Sequence, residues 1–354
     1  MPWADVDDLN GQFECILYGN LYTDYGTIIQ NIKHKTNTDL KVKSKGNEVL
    51  IPGSDTTPTG LARALFLEKE NVILGGDINI LSVKHDDGPF LAYELNKLKK
   101  ELIIRIKGTT VKHLQNNDLK DIVVSLPSLE EQRKISSLFS RLDNTITLQQ
   151  RKLNSLQKLK KGLLQKMFPK NGENIPEIRF PEFSDAWKQR KFGEFVERKS
   201  DSALSSTSIP SVEYENVESE TGILKKDIYV KTEFKKGVLF SDKDVLYGKL
   251  RPYLHNWLAP SFTGVAVGDW WVLSPKNCSK DFLYRLLQTL TFDEIANQTS
   301  GTKMPRADWN LVSSTAFYIP SSIEEQAKIG SLFNRIDSTI TLQQRWLFYT
   351  HKQS

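Results

Sequence analysis

The sequence predicts an α+β protein built from two mixed α/β domains, each followed by a long coiled-coil helix, with a pseudo-two-fold internal repeat. The main observation is a near-identity between EEQRKISSLFSRLDNTITLQQR (130–151) and EEQAKIGSLFNRIDSTITLQQR (324–345). Only five of these 22 positions differ. A match of this length at such a long period indicates duplication of a whole domain, and not a solenoid of short repeats.

A weaker repeat extends through both halves at offsets of 192 to 196 residues. It superimposes Asp77 on Asp269 and places a glycine and a proline of each half in register. Each half is therefore a domain of ordinary size plus a helix. The matched segments are NEVLIPGS (47–54) with KDVLYGKL (243–250), VILGGDINIL (72–81) with TGVAVGDWWVL (263–273), FLAYELNKL (90–98) with FLYRLLQTL (282–290), and 108–127 with 301–320.

Composition places the chain among globular proteins. Its 354 residues are 39% hydrophobic and 26% charged, and they contain no apolar run long enough to span a membrane. The acidic N-terminus does not read as a signal peptide, and Cys15 and Cys278 form neither a metal pair nor a disulfide framework. We therefore expect a cytoplasmic protein. The net charge of +5 permits nucleic-acid binding without requiring it.

The first domain is predicted to mix strands and helices. Leu17–Ile32, Asn47–Ser54 and Asn71–Leu81 are predicted to contain short strands between turn residues. Residues 90–101 have the pattern of a short helix, and 121–127 of a strand that stops at Pro127.

A long helix follows over residues 129–167. Ser128 with Glu131 gives the capping-box pattern at its start, and Pro169 ends it. Apolar residues recur at the 3.5-residue period of a coiled-coil seam. Two seam positions of the first helix, Gln149 and Lys160, are polar, which costs stability but can fix register. The first helix contributes Leu142, Ile146, Gln149, Leu153, Leu156, Lys160, Leu163 and Met167, and the second contributes Ile336, Ile340, Gln343 and Leu347.

The predicted boundaries follow from the repeat. They are a first domain at 1–127, a helix at 128–168, a linker at 169–186, a second domain at 187–320 and a helix at 321–354. The linker is rich in Pro and Gly, and Ser321 or Ser322 is expected to cap the second helix.

Motifs for chemistry are almost absent. The chain has no GxxxxGKS/T phosphate loop, no GxGxxG fingerprint, no Asn/Asp-Pro-Pro-aromatic motif and no paired histidine spacing for a metal. Asp77 and Asp269 follow glycines in apolar runs, and we interpret both as turn aspartates in preference to catalytic ones. An independent enzyme such as a nuclease would need clustered carboxylates with a lysine, which the sequence does not offer.

Polar and basic loops occupy matching places in the two halves and are the candidates for DNA binding. Arg and Lys suit guanine edges or phosphates, and hydroxyls serve either. The alternative for each single residue is a solvated loop. The candidates are Ser54, Thr56, Thr57, Thr109, Thr110, Lys112 and His113 in the first half, with Lys249, Arg251, Tyr253, His255, Thr302, Lys303 and Arg306 in the second.

Taken together, these segments resemble the specificity subunit of type I restriction-modification enzymes. The resemblance rests on 126–168, the opener FPEFSDAWKQRKFGEF (180–195), YGKLRPYL (247–254) and SGTKMPRADW (300–309), and it covers nearly the whole chain. It implies two target-recognition domains, each reading half of a bipartite double-stranded DNA site, and two antiparallel helices that set their spacing.

The resemblance also implies which functions belong to partner subunits. The helices would dock two modification subunits, and restriction subunits would join indirectly. S-adenosylmethionine, ATP and Mg²⁺ would act in those partners, with no cofactor or metal in this chain. Cations on the first helix would contact a partner or only water: Arg141, Arg151, Lys152, Lys158 and Lys161.

Two departures from the family pattern bear on function. No opener precedes the first domain, and the second helix is shorter than the first. The alternative expectation is therefore a truncated, silent or regulatory variant that binds modification subunits without binding DNA alone, or a half completed by another chain.

Overall fold

The computed structural model describes residues 5–170, 172–225, 228–229, 233–298 and 304–353. They form two compact units, Met1–Leu148 and Gln149–Ser354, described separately below. The division falls within one long helix. The domain boundaries expected from the sequence remain predictions.

The first unit is built on two four-stranded sheets. One has the order β3-β1-β8-β4 and the other β2-β7-β5-β9, with a short β10-β6 ladder beside them. The strands are β1 (Phe13–Ile16), β2 (Ile28–Ile29), β3 (His34–Thr36), β4 (Lys43–Lys45), β5 (Glu48–Pro52), β6 (Ser54–Asp55), β7 (Leu65–Leu67), β8 (Glu70–Leu74), β9 (Ile78–Ser82) and β10 (Lys112–His113).

Short helices cover these sheets. The predicted helix at 90–101 is confirmed as two consecutive helices, and apolar side chains from both sheets and from these helices form the core. The helices are α1 (Asn20–Thr23), α2 (Pro58–Leu61), α3 (Gly88–Lys97), α4 (Lys99–Ile103), α5 (Asn116–Leu119) and α6 (Leu129–Lys166), the last of which continues into the second unit.

Of two strand predictions in the first unit, one is confirmed only in part and the other was wrong. Leu17–Ile32 contains the two-residue strand β2, but Asn20–Thr23 form helix α1, where the Asn20 side chain accepts the Leu17 amide. Residues 121–127 form no strand, and Val123 is 87% exposed. A strand needs a hydrogen-bonding partner. The equivalent segment of the second unit has one in Lys188–Lys191.

The second unit repeats this plan. Its sheets have the orders β12-β19-β16-β17 and β13-β15-β18-β14, with β11 paired to β20. The strands are β11 (Lys188–Lys191), β12 (Val196–Lys199), β13 (Ser202–Leu204), β14 (Ser211–Glu213), β15 (Lys236–Phe240), β16 (Val245–Gly248), β17 (Trp257–Leu258), β18 (Gly264–Val267), β19 (Trp270–Pro275) and β20 (Ala316–Ile319).

Helices of the second unit complete its core. An aromatic cluster that includes Phe192, Trp271 and Phe292 joins the main sheet to the helices packed on it. The helices are α7 (Phe192–Phe195), α8 (Lys280–Leu286), α9 (Leu290–Ala296), α10 (Trp309–Ser314) and α11 (Ile323–Gln353). Short 3-10 turns lie at Tyr214–Asn216 and Pro252–Leu254.

Both long helices begin as predicted. The hydroxyl of Ser128 accepts the amide of Glu131 at 3.4 Å, and that of Ser322 accepts the amide of Glu325 at 3.2 Å. Ser322, and not Ser321, is therefore the cap of α11.

A buried glutamine fastens each long helix to its own domain. Gln132 accepts the Asp87 amide and donates to the Pro127 carbonyl, both at 2.9 Å. Gln326 likewise accepts the Ser279 amide and donates to the Pro320 carbonyl, both at 2.8 Å. The repeat thus reproduces tertiary contacts as well as sequence.

Burial along the seam follows the predicted period. Leu153, Met167, Ile336 and Leu347 are buried, and the intervening seam positions are partly buried. Leu142 departs from this pattern because it is 48% exposed. Its equivalent Ile336 is enclosed in the cluster that also contains Met167, Phe168 and Trp187.

No helix in the described part of the chain has both the length and the apolar character needed to cross a membrane.

Candidate nucleic-acid interface

Main-chain hydrogen bonds join the polar loops of the second unit. We call this set of bonds, among residues 249–251, 269 and 305–307, the backbone frame. The Lys249 amide donates to the Asp269 carbonyl and the Ala307 amide donates to the Lys249 carbonyl, both at 2.9 Å. The Arg251 amide donates to the Pro305 carbonyl at 2.7 Å, and Leu250 bridges Arg306 as an isolated β-bridge. The loops at 249–255 and 304–307 therefore form one surface, although they lie far apart in sequence.

The first unit has the same frame. The Gly53 amide donates to the Asp77 carbonyl at 2.6 Å, and the Leu114 amide donates to the Gly53 carbonyl at 3.0 Å. Ser54 pairs with His113 in the β6-β10 ladder, as Leu250 does with Arg306. The aligned positions of the repeat therefore occupy matching places in the fold, while their side chains differ.

An ion cluster dominates the frame of the second unit. Arg306 donates from Nε and Nη2 to the two oxygens of Asp269, each at 3.2 Å, and Lys249 Nζ lies 3.6 Å from Asp269 Oδ1. The hydrogen bonds from Arg306 are the largest cause of a lowered pKa at Asp269, with the charges of Arg306 and Lys249 adding to it. The carboxylate is therefore ionised at neutral pH.

Asp269 is more than a turn residue, because its side chain organises two of the predicted DNA-binding cations. The sequence analysis missed this role. It also missed Tyr214, whose hydroxyl donates to the Leu250 carbonyl and whose ring packs on Trp270. Neither residue lies near the loops in sequence, so only the tertiary fold reveals them.

The segment Pro252–Leu254 presents an aromatic side chain beside this cluster. It is a 3-10 turn between Arg251 and His255, which both have left-handed backbone angles, with φ of 50° and 52°. Left-handed geometry is unusual for these residue types and marks a tightly determined loop. Tyr253 is 52% exposed at the tip, where a ring can contact a sugar or a base.

His255 is engaged inside the unit. Its Nε2 lies 2.9 Å from Asp293 and its Nδ1 lies 3.4 Å from Glu220, and the ring stacks on Trp257. Both ring nitrogens therefore have carboxylate partners, which favours a structural role for His255. Thr302 and Lys303 lie outside the described residues.

The frame of the first unit is polar, with Gly53 and His113 in the places of Lys249 and Arg306. Ser54 is buried and its hydroxyl lies 2.9 Å from His113 Nδ1. Asp77, at φ 59°, and Asn116 line the same cleft of about 370 Å³. Asn side chains suit adenine edges, and the sequence analysis did not single out Asn116.

Other candidates of the first unit have local partners. Thr57 caps α2 by accepting the Gly60 amide, and Thr56 and Thr57 both bond to the Asp55 carboxylate. Lys112 donates to the Gly108 carbonyl at 2.7 Å, whereas Thr109 and Thr110 are exposed. The structure thus brings Ser54 and His113 together, and the DNA-binding assignment of each residue stays a prediction.

Among the residues that the structure describes, no cluster of three or more His, Cys, Asp or Glu side chains has the arrangement of a metal site.

Comparison with known proteins gives a consistent result. Residues 2–158 and 184–347 match the family described as the type I restriction modification DNA specificity domain. The specificity subunit of the type I restriction enzyme MjaVIII from Methanocaldococcus jannaschii is 24% identical over 332 residues, which cover 88% of this chain and 76% of that protein. The EcoDI specificity subunit from Escherichia coli is 24% identical over 323 residues, covering 75% of this chain and 71% of that one.

A solved structure shares the fold. The S subunit of a type I restriction-modification system from M. genitalium superimposes with a TM-score of 0.63 at 14% identity, covering 99% of this chain and 88% of that chain.

Proposed function

Because this chain belongs to the family of type I restriction modification DNA specificity domains, we propose that it reads a bipartite double-stranded DNA site, one half-site per unit. Members of this family are the non-catalytic specificity subunits of type I restriction-modification systems. The observation that carries the proposal is the shared backbone frame at Gly53 and Lys249, which holds different side chains in the two units.

Different side chains on a common frame are what two different half-sites require. The second unit offers Lys249, Arg306 and an exposed Tyr253, which suit phosphates and guanine edges. The first unit offers Ser54, His113 and amide side chains, which suit adenine-containing edges. The proposed target is therefore asymmetric.

We infer further that the long helices dock two modification subunits and fix the gap between half-sites. Spacing matters because about 10.5 base pairs restore the same face of the duplex. S-adenosylmethionine, ATP and Mg²⁺ would bind in the partner subunits, restriction subunits would join indirectly, and the complex would work in the cytoplasm.

Adenine methylation mapping tests the proposal. The chain is co-expressed with a cognate modification subunit in a host that lacks DNA methylation. A motif of two different half-sites at a fixed gap is the expected result. A symmetric motif, or absence of methylation although the modification subunit co-purifies, would overturn the two-reader proposal and favour the variant that docks without reading DNA.

A further inference from the structure

We propose that Asp269 is a positioning residue that restrains Lys249 and Arg306 and thereby weakens sequence-independent binding to DNA phosphates. This inference rests on the proposed function, since it concerns how the second unit contacts DNA. It assigns a carboxylate, which repels DNA, a definite part in a DNA-binding surface.

The geometry fixes the three side chains together. Asp269 accepts two hydrogen bonds from Arg306, and the Lys249 ammonium lies 3.6 Å from its Oδ1. The Asp269 side chain is 26% exposed, Lys249 32% and Arg306 51%. Solvent and DNA can therefore reach the cations, while the carboxylate sits between them.

Main-chain hydrogen bonds hold in place the backbone that carries these side chains. The Lys249 amide donates to the Asp269 carbonyl, and the Ala307 amide donates to the Lys249 carbonyl. Leu250 bridges Arg306, so the main chains that carry all three side chains are held side by side. Such preorganisation lowers the cost of a contact made in one fixed direction.

The net charge of the three side chains determines how strongly the cluster attracts a DNA phosphate. Two cations and one carboxylate leave a net charge of one, so a phosphate that takes either cation must compete with Asp269. An arginine has five N–H donors, and two of those on Arg306 are used by Asp269. The remaining donors keep a set direction, which suits a base edge with a defined pattern of acceptors better than a phosphate at any position.

The first unit supplies a matched control. Asp77 occupies the equivalent position, but the frame residues beside it are Gly53 and His113, neither of which carries a permanent positive charge. Asp77→Asn removes the same single negative charge as Asp269→Asn. It does not release an arginine or a lysine.

The experiment measures binding of the full chain to a random-sequence duplex by fluorescence anisotropy over a range of salt concentrations. We expect Asp269→Asn to bind this duplex about three- to tenfold more tightly at low salt, with a log-log salt slope steeper by about 0.9. Asp77→Asn, which frees no arginine or lysine, should steepen the slope clearly less than Asp269→Asn does. A purely structural role for Asp269 would not steepen the slope.

A second set of variants covers the case in which Asp269→Asn fails to fold. If Asp269 restrains both cations, a variant that lacks one cation still has Asp269 paired with the other, whose charge it neutralises. Lys249→Gln and Arg306→Gln should then each flatten the slope as much as the double variant does. Stepwise flattening, with the double variant losing about twice as much as either single one, would overturn the proposal.

An unchanged or flatter slope in folded Asp269→Asn also overturns it. If methylation mapping still finds two half-sites, only the role of Asp269 fails. If mapping finds no methylation and the wild type does not bind the duplex, the proposed function fails and this inference fails with it.

Discussion

Gln343 donates a hydrogen bond from its side-chain Nε2 to the side-chain Oε1 of Gln149 at 2.6 Å, and these two residues are equivalent positions of the internal repeat. Further along, Lys160 Nζ lies 2.7 Å from Asp337 Oδ1. Moving forward on α6 therefore means moving backward on α11, so the paired segments run antiparallel.

This glutamine pair should set register at some cost in stability. Gln149→Leu leaves the partly buried Gln343 amide with only a long 3.5 Å bond to the main-chain carbonyl of residue 149, and we expect a loss of about 1 kcal/mol in the free energy of unfolding. The double variant with Gln343→Leu should recover that loss or exceed the wild type, because a continuous apolar seam is more stable. Urea unfolding followed by circular dichroism measures both, with the exposed Gln150→Leu as control. A double variant less stable than either single one would contradict the idea.

Asp337 should matter more to stability than its counterpart Asp143. Arg285 is 1% exposed and donates to Asp337 at 2.6 Å. Asp337→Asn leaves this buried cation without its counter-charge, and we expect a loss of about 3–5 kcal/mol. In the first unit Asp143 accepts a hydrogen bond from the neutral hydroxyl of Tyr93 at 2.8 Å, so Asp143→Asn should cost about 1 kcal/mol. The denaturant midpoints of the two variants measure these losses. Equal losses of stability would contradict a larger role for Asp337.

Asp244 should make the second unit sensitive to acid. Its side chain is fully buried; burial raises its pKa, but hydrogen bonds from Lys199 and Ser241 outweigh this and hold the pKa below the ordinary value. The unfolded chain then binds the proton more readily, so this contribution to stability is present above about pH 4 and falls as pH drops through the lowered pKa.

The acid prediction is checked with Asp244→Asn. This variant should be less stable than the wild type at neutral pH, and its free energy of unfolding should fall less steeply between pH 5 and pH 3. Parallel curves for the two proteins would show that Asp244 is not responsible. Asp242→Asn, a neighbouring exposed residue, is the control.

Substitutions in the two frames should change different halves of the methylated motif. His113→Ala should relax or abolish recognition of one half-site, and Arg306→Ala that of the other, at a cost of about 1–3 kcal/mol for a lost base contact. Methylation mapping of each variant gives the readout. A change in both halves from one substitution would argue against one reader per half-site.

Periodic features were predictable from sequence. The bounds and capping of α6, the period of its seam and the equivalence of Asp77 with Asp269 depend on local spacing or on the repeat, and the structure agrees with them. These features need no knowledge of distant partners.

Features that depend on distant partners were not predictable. Residues 121–127 contain the β-branched, apolar run typical of a strand, but no strand pairs with them in the described chain, whereas Ala316–Ile319 pairs with Lys188–Lys191. The cluster at Asp269 joins residues 20 and 37 positions away, at Lys249 and Arg306. Side chains that meet across such separations are chosen by the fold, and composition cannot reveal them.

The contacts of the two buried glutamines bear on how a domain could be exchanged between genes. Gln132 and Gln326 grip their domains chiefly by a main-chain amide and a main-chain carbonyl, which every such domain offers whatever its side chains. A gene that exchanges one domain for another would keep this pair of hydrogen bonds to the helix. Under the proposed function, new target sequences would then arise by recombination, without a matching change in the helices that carry the domains.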